Sequence, residues 1–184
     1  MIFRRLLRSL AAAAVLLAAG GCIVSHAPLL TAANSETPFG PEVTVRRPAD
    51  GQTFKYVRSG SVYVTADDNG HVAKVRFHAI ATALPGRLYI VQAVERDDVL
   101  YGFAFRPDGD PSVLWTEGDY GCGAVSPDLA RKIGLHERKG GDCVVRSLKG
   151  LEAFFGDAAL QQAFLRQIGH APTDQSGPIR YDIQ

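Results

Sequence analysis

Between Pro48 and Asp110 the chain is punctuated by turn signals, and the stretches between them alternate in hydropathy. The punctuation is Pro48-Ala49-Asp50-Gly51, Asp67-Asp68-Asn69-Gly70, Leu84-Pro85-Gly86, Arg96-Asp97-Asp98 and Pro107-Asp108-Gly109-Asp110. Short strands separated by such turns are the signature of an all-β meander. One strand is explicit. Ala73, Val75, Phe77 and Ala79 share a face, while Lys74, Arg76 and His78 take the other. That is the period of a half-buried antiparallel strand, and the Asn69-Gly70 step before it marks a hairpin. Val43 and Val45, then Phe54 and Tyr56, extend the pattern upstream. Arg87–Glu95 is apolar on both faces except at Gln92, as a central strand is. Tyr101, Phe103 and Phe105 share one face of the next strand, and Trp115 belongs to the one after it.

The last third changes period. Ser126 is an N-cap residue and Pro127 suits the first helical position; Leu129 and Ile133 share a face, and Gly134 stops the helix. Cys143–Arg146 reads as a short strand. Ser147 then caps a segment with Leu148, Leu151, Phe154 and Phe155 at helical spacing; Gly156-Asp157 interrupts it, and Leu160, Phe164 and Ile168 resume the stripe. The expected fold is α+β: an antiparallel curved sheet or small barrel-like meander of six to eight strands, with two or three C-terminal helices packed on it. Residues 42–170 form the single globular domain, and 171–184 read as a frayed tail.

The N-terminus carries an address. Arg4, Arg5 and Arg8 precede an apolar run, Leu10–Ala19, too short to span a membrane as a mature helix. This is the layout of a secretory signal peptide over residues 1–21. The segment Ala19-Gly20-Gly21-Cys22 resembles the lipobox of bacterial lipoproteins, with Ala19 where that family usually carries leucine. The resemblance implies diacylglyceryl transfer to Cys22, cleavage before it and N-acylation. Ile23 rather than aspartate follows, which implies the periplasmic face of the outer membrane. Residues 22–41, rich in Ala, Ser, Thr and Pro, then read as a lipidated cysteine and its tether, about 65 Å when extended. The alternative is that Leu29, Leu30 and Phe39 pack on the domain.

Lipidation of Cys22 leaves two of the three cysteines, Cys122 and Cys143, which are expected to form a disulfide in an oxidising compartment. A formal charge of +1 on the full chain provides no broad basic footprint for nucleic acid.

The sequence offers little catalytic chemistry. There is no C-x-x-C, H-x-x-x-H, H-E-x-x-H, G-x-S-x-G, S-x-x-K or Walker loop. His71 and His78 stand seven apart on one strand and so face opposite sides. No metal and no cofactor is expected. Asp97, Asp98, Glu117 and Asp119 lie near strand ends, where turn chemistry explains them. Tyr89, Tyr101, Phe103, Phe105, Trp115 and Tyr120 either line a cup for an apolar ligand or form the core, and core is the reading favoured.

Two family resemblances bear on function. A β-meander followed by helices on a lipoprotein is similar to the bacterial lipocalins, although their G-x-W signature is absent at Trp115. That resemblance implies an apolar-ligand carrier. Ser59-Gly60-Ser61-Val62-Tyr63 resembles the S-G-x-x-Y motif of membrane-bound lysozyme inhibitors, without the companion Y-x-x-x-T-K-G. It implies that Ser59, Gly60 and Tyr63 belong to a loop that enters the lysozyme cleft. The expected function is a non-catalytic binding or assembly module. Cys22 anchors it to the membrane, and it acts on a protein partner or an apolar ligand; an envelope enzyme is the least favoured reading.

Overall fold

The computed structural model describes residues 22–66, 72–82, 84–95, 98–117, 120–138, 141–168 and 178–184. Residues 1–21, expected to be a signal peptide, residues 67–70, expected to be a turn, and His71, Asp97, Asp119 and His170 lie outside them. The strands are β1 (Ile23–Val24), β2 (Glu42–Arg46), β3 (Thr53–Ser59), β4 (Val62–Ala66), β5 (Val72–Ile80), β6 (Gly86–Glu95), β7 (Asp98–Pro107), β8 (Val113–Glu117), β9 (His136–Glu137), β10 (Cys143–Val144) and β11 (Ile179–Ile183). Three helices follow β8: α1 (Pro127–Lys132), α2 (Leu148–Phe155) and α3 (Ala158–Ile168).

From β2 to β8 each strand pairs antiparallel with the next, and β11 pairs with both β8 and β2. The result is a closed eight-stranded antiparallel barrel with helices, as the alternation and the C-terminal change of period imply. The row of partners leaving β2 at Arg46 runs through Asp182, Val113 and Gly86 and returns to the line of β2 displaced by about twelve residues. Stagger and strand number together set the tilt and bore, and eight strands leave an interior that side chains fill or one small ligand occupies.

β6 and β7 separate two hydrophobic cores. Their alternate residues Tyr89, Val91 and Ala104 point into the barrel, beside Val43, Tyr56, Tyr63, Val75, Phe77, Leu114 and Tyr181. Leu88, Ile90, Tyr101, Phe103 and Phe105 point outward, onto Leu151, Phe154, Phe155, Leu160 and Phe164 of α2 and α3. Ring contacts join Phe103 to Phe155 at 4.6 Å and to Phe164 at 5.5 Å. A close approach fixes the start of the β6–β7 pair: a Cβ on Gly86 would lie 2.5 Å from the Arg106 carbonyl oxygen. The helices start where the sequence places them, with Ser126 Oγ accepting from the Leu129 amide and Ser147 Oγ from the Gly150 amide.

Two expectations are corrected. Residues 179–183, read from sequence as part of a frayed tail, are the strand that closes the barrel. Ile179, Tyr181 and Ile183 alternate into the interior, and leaving them out would expose the edges of β2 and β8. The tether of residues 22–41 is also part of the folded body. Ile23 and Leu30 are buried, β1 pairs with β7 and β10, and Glu36 bridges to Phe77.

The cause is a buried polar cluster on the outer face of β6 and β7. Gln92 Oε1 accepts from the Leu30 amide at 2.7 Å, and Gln92 Nε2 donates to the Leu30 carbonyl at 3.2 Å. Tyr101 OH donates to Gln92 at 3.1 Å and accepts from the Leu29 amide at 3.0 Å. Further along, His78 Nδ1 meets the Asn34 carbonyl at 2.7 Å and Nε2 meets Glu152 at 2.9 Å, joining this segment to β5 and α2. The disulfide Cys122–Cys143 forms as expected, with Cα atoms 5.2 Å apart. The Cys143 amide also donates to the Cys22 carbonyl at 2.8 Å.

Two outcomes follow. Gln92→Leu strands the Leu30 amide and carbonyl without partners. It should cost about 1–3 kcal/mol in urea unfolding and accelerate amide exchange in residues 23–34. Deleting residues 179–184 should abolish the cooperative transition altogether, whereas a frayed tail would be dispensable.

Candidate functional site

Inward residues come in unequal sizes around the barrel. Ala73 and Ala79 on β5, Ala93 on β6, and Gly102 and Ala104 on β7 are small. Phe54 and Tyr56 on β3, Tyr63 on β4, Phe77 on β5 and Tyr181 on β11 are large. Large side chains surround an interior cavity of about 30 Å³, lined by Phe39, Val43, Val45, Tyr56, Tyr63, Val75, Phe77, Leu114 and Tyr181. A space of this size suits one or two water molecules and no organic ligand. The barrel is therefore nearly filled by its own rings.

One of those rings is not on a strand. Phe39 comes from the segment before β2 and packs edge-on against Phe77 at 5.4 Å and Tyr63 at 6.0 Å. Its backbone is held by one hydroxyl: Tyr63 OH accepts from the Phe39 amide at 3.0 Å and donates to the Phe39 carbonyl at 2.6 Å. Edge-on contacts continue inward from Phe77 to Tyr89 at 6.0 Å. Tyr89 OH and Thr116 Oγ1 are buried without a hydrogen-bond partner. They flank Ala104 in one cross-strand row of β6, β7 and β8. Two unpaired hydroxyls in a native interior call for a reason, because each carries a desolvation cost.

Elsewhere β2 is followed by Arg47, whose guanidinium pairs with Asp50, donates to Gln52 Oε1 at 2.7 Å and lies over the Phe54 ring. The Asp50 bond raises the Arg47 pKa, and the same bond holds the Asp50 carboxyl below its usual range. Burial pushes the Tyr56 phenol up to about 12, and it raises Tyr181, Tyr63 and Tyr101 as well.

The residues singled out from sequence scatter. Ser59 pairs with Val62 across a tight two-residue turn, Gly60-Ser61, in which Gly60 has φ +62°. No extended loop projects there. Tyr63 points into the barrel and is 1% exposed, so it holds Phe39 rather than standing on the surface. Cys22 is partly exposed and directly precedes buried Ile23. Asp98 pairs in register with Glu95, and Glu117 is buried with Tyr120 OH donating to it. Among the described residues no three His, Cys, Asp or Glu side chains form a metal-holding group.

Of the six aromatic residues between 89 and 120, Tyr89 faces the interior. Tyr101, Phe103, Phe105, Trp115 and Tyr120 pack in the outer core, as the favoured reading held. The rings around the cavity come instead from Phe39, Tyr56, Tyr63, Phe77 and Tyr181. Their alternation was visible in Ile179-Arg180-Tyr181-Asp182-Ile183, but Phe39 between Pro38 and Gly40 shows no period at all.

All six tyrosines are buried. For Tyr56 the folded pKa exceeds the unfolded one, so its contribution to stability is complete below about pH 10 and is lost as pH rises through about 12. A spectrophotometric titration compared with that of Tyr56→Phe should show the Tyr56 phenolate absent at pH 10 and appearing only near pH 12, together with loss of the fold. Ordinary ionisation near pH 10 with the fold intact would contradict this burial.

No protein-family model matches this chain, and no curated protein and no solved structure matches it.

Proposed function

We propose that this protein is a non-catalytic binding module of the bacterial cell envelope, anchored through lipid on Cys22 at the periplasmic face of the outer membrane. Its barrel takes a small apolar ligand. The carrying observation is the interior itself: a closed barrel whose end is stoppered by Phe39, a ring from a connecting segment held by one hydroxyl. The wide stagger and the unpaired hydroxyls of Tyr89 and Thr116 support the same reading. The anchor rests on the lipobox-like Ala19-Gly20-Gly21-Cys22.

Apolar contact would supply affinity, at roughly 25 cal/mol per Å² buried, and the few interior hydroxyls would orient the guest. Phe39 must leave for anything larger than water to enter, so a single ring or a short branched chain fits better than a long acyl chain.

Native mass spectrometry of the protein extracted from its host's membranes tests both parts. The expected protein mass begins at Cys22, includes acyl chains and lacks two protons for the disulfide, and a small apolar molecule is retained. An unmodified Cys22 would overturn the anchor. A bound protein in place of a small molecule would replace the carrier reading with an assembly role.

A further inference from the structure

On the basis of the barrel reading above, we propose that the ligand is a small monocarboxylate with an aryl or short branched alkyl group. In this arrangement the apolar group takes the place of the Phe39 ring, and the carboxylate is bound by Arg58 and the Tyr63 hydroxyl.

The geometry runs from the strand register. Arg58 on β3 stands directly opposite Tyr63 on β4, so both belong to the inward-facing set at that end of the barrel. Directly opposed residues bring their Cβ atoms within about 5.5 Å. The Arg58 guanidinium reaches towards the same connecting segment that carries Phe39, meeting Thr37 Oγ1 at 3.5 Å. That partner is neutral and the contact is long. Among the described residues no ion pair joins Arg58 to a carboxylate, whereas Arg47, Arg131, Arg138 and Arg180 each have one.

Displacement of Phe39 releases a matching group. Both hydrogen bonds that Tyr63 OH makes to the Phe39 backbone would be lost, leaving the hydroxyl beside a cation at the mouth of an apolar hole. A carboxylate satisfies both, since a guanidinium and a phenol are donors and a carboxylate accepts on each oxygen. The size limit comes from the native occupant: the ring removed is a phenyl, and the remaining space is about 30 Å³. Phe39 is in effect a bound analogue of the ligand's apolar end.

The test uses 3-phenylpropanoate and its neutral counterpart 3-phenylpropan-1-ol, titrated by calorimetry into the mature protein and the variants Phe39→Ala and Arg58→Gln. Melting curves check that each variant is folded; Arg58 is exposed, so its replacement should leave the fold intact. The acid should bind the wild type about tenfold or more tightly than the alcohol. Arg58→Gln should abolish that preference by weakening the acid far more than the alcohol. Phe39→Ala should tighten both probes. Equal affinity for acid and alcohol, or an acid preference that survives Arg58→Gln, would overturn the carboxylate assignment and leave the barrel as an apolar site. Failure of both probes to bind even Phe39→Ala would overturn the barrel reading as well.

Discussion

The β6–β7 hairpin is buried on both faces, and the rest of the molecule is arranged to satisfy that condition. Ten residues of each strand pair without interruption, and their side chains alternate between two apolar environments. A strand pair of this kind cannot face water on either side. One face rolls the meander into a barrel around itself. The other draws in α2, α3 and the N-terminal segment as a cover. Gln92 breaks the apolar outer row, and the cover must therefore bring backbone groups to it. Leu29 and Leu30 do so, which is why the N-terminal segment lies on the barrel in a defined register.

The same partition gives the two faces of the hairpin different packing. The outer core is dense in rings, with Phe103 contacting Tyr120, Phe155 and Phe164. The inner core mixes small residues on β5, β6 and β7 with large ones such as Phe77 and Tyr89, and Phe39 from the segment before β2 adds to its filling. The two cores share one wall, β6 and β7.

Much of this was legible in the sequence, for identifiable reasons. Local patterns were reliable: the alternation of Ala73 to Ala79, the caps at Ser126 and Ser147, and the aromatic stripe through Phe154, Phe155 and Phe164 all formed as their periods imply. Partners far apart in the chain were not legible. Nothing local tells that Leu30 will meet Gln92, or that Tyr181 will sit beside Leu114. Residues 22–41 and 179–183 look unstructured because their order comes from long-range pairing and not from propensity. The candidate site suffered most, since Phe39 and Arg58 acquire meaning only through Tyr63. The aromatic cluster after residue 89 drew attention by its density, and density turned out to mark the outer core.

The position of β11 has a consequence for how the protein is made. Its partners β2 and β8 come early in the chain, yet the strand that joins them follows α1, α2 and α3. A nascent molecule therefore carries two unpaired sheet edges until residues 179–183 have been made. Open edges of this sort recruit other chains, and pairing across so long a loop is slow. The molecule is most vulnerable to aggregation before β11 docks, and the five residues Ile179–Ile183 decide whether its edges are closed or open.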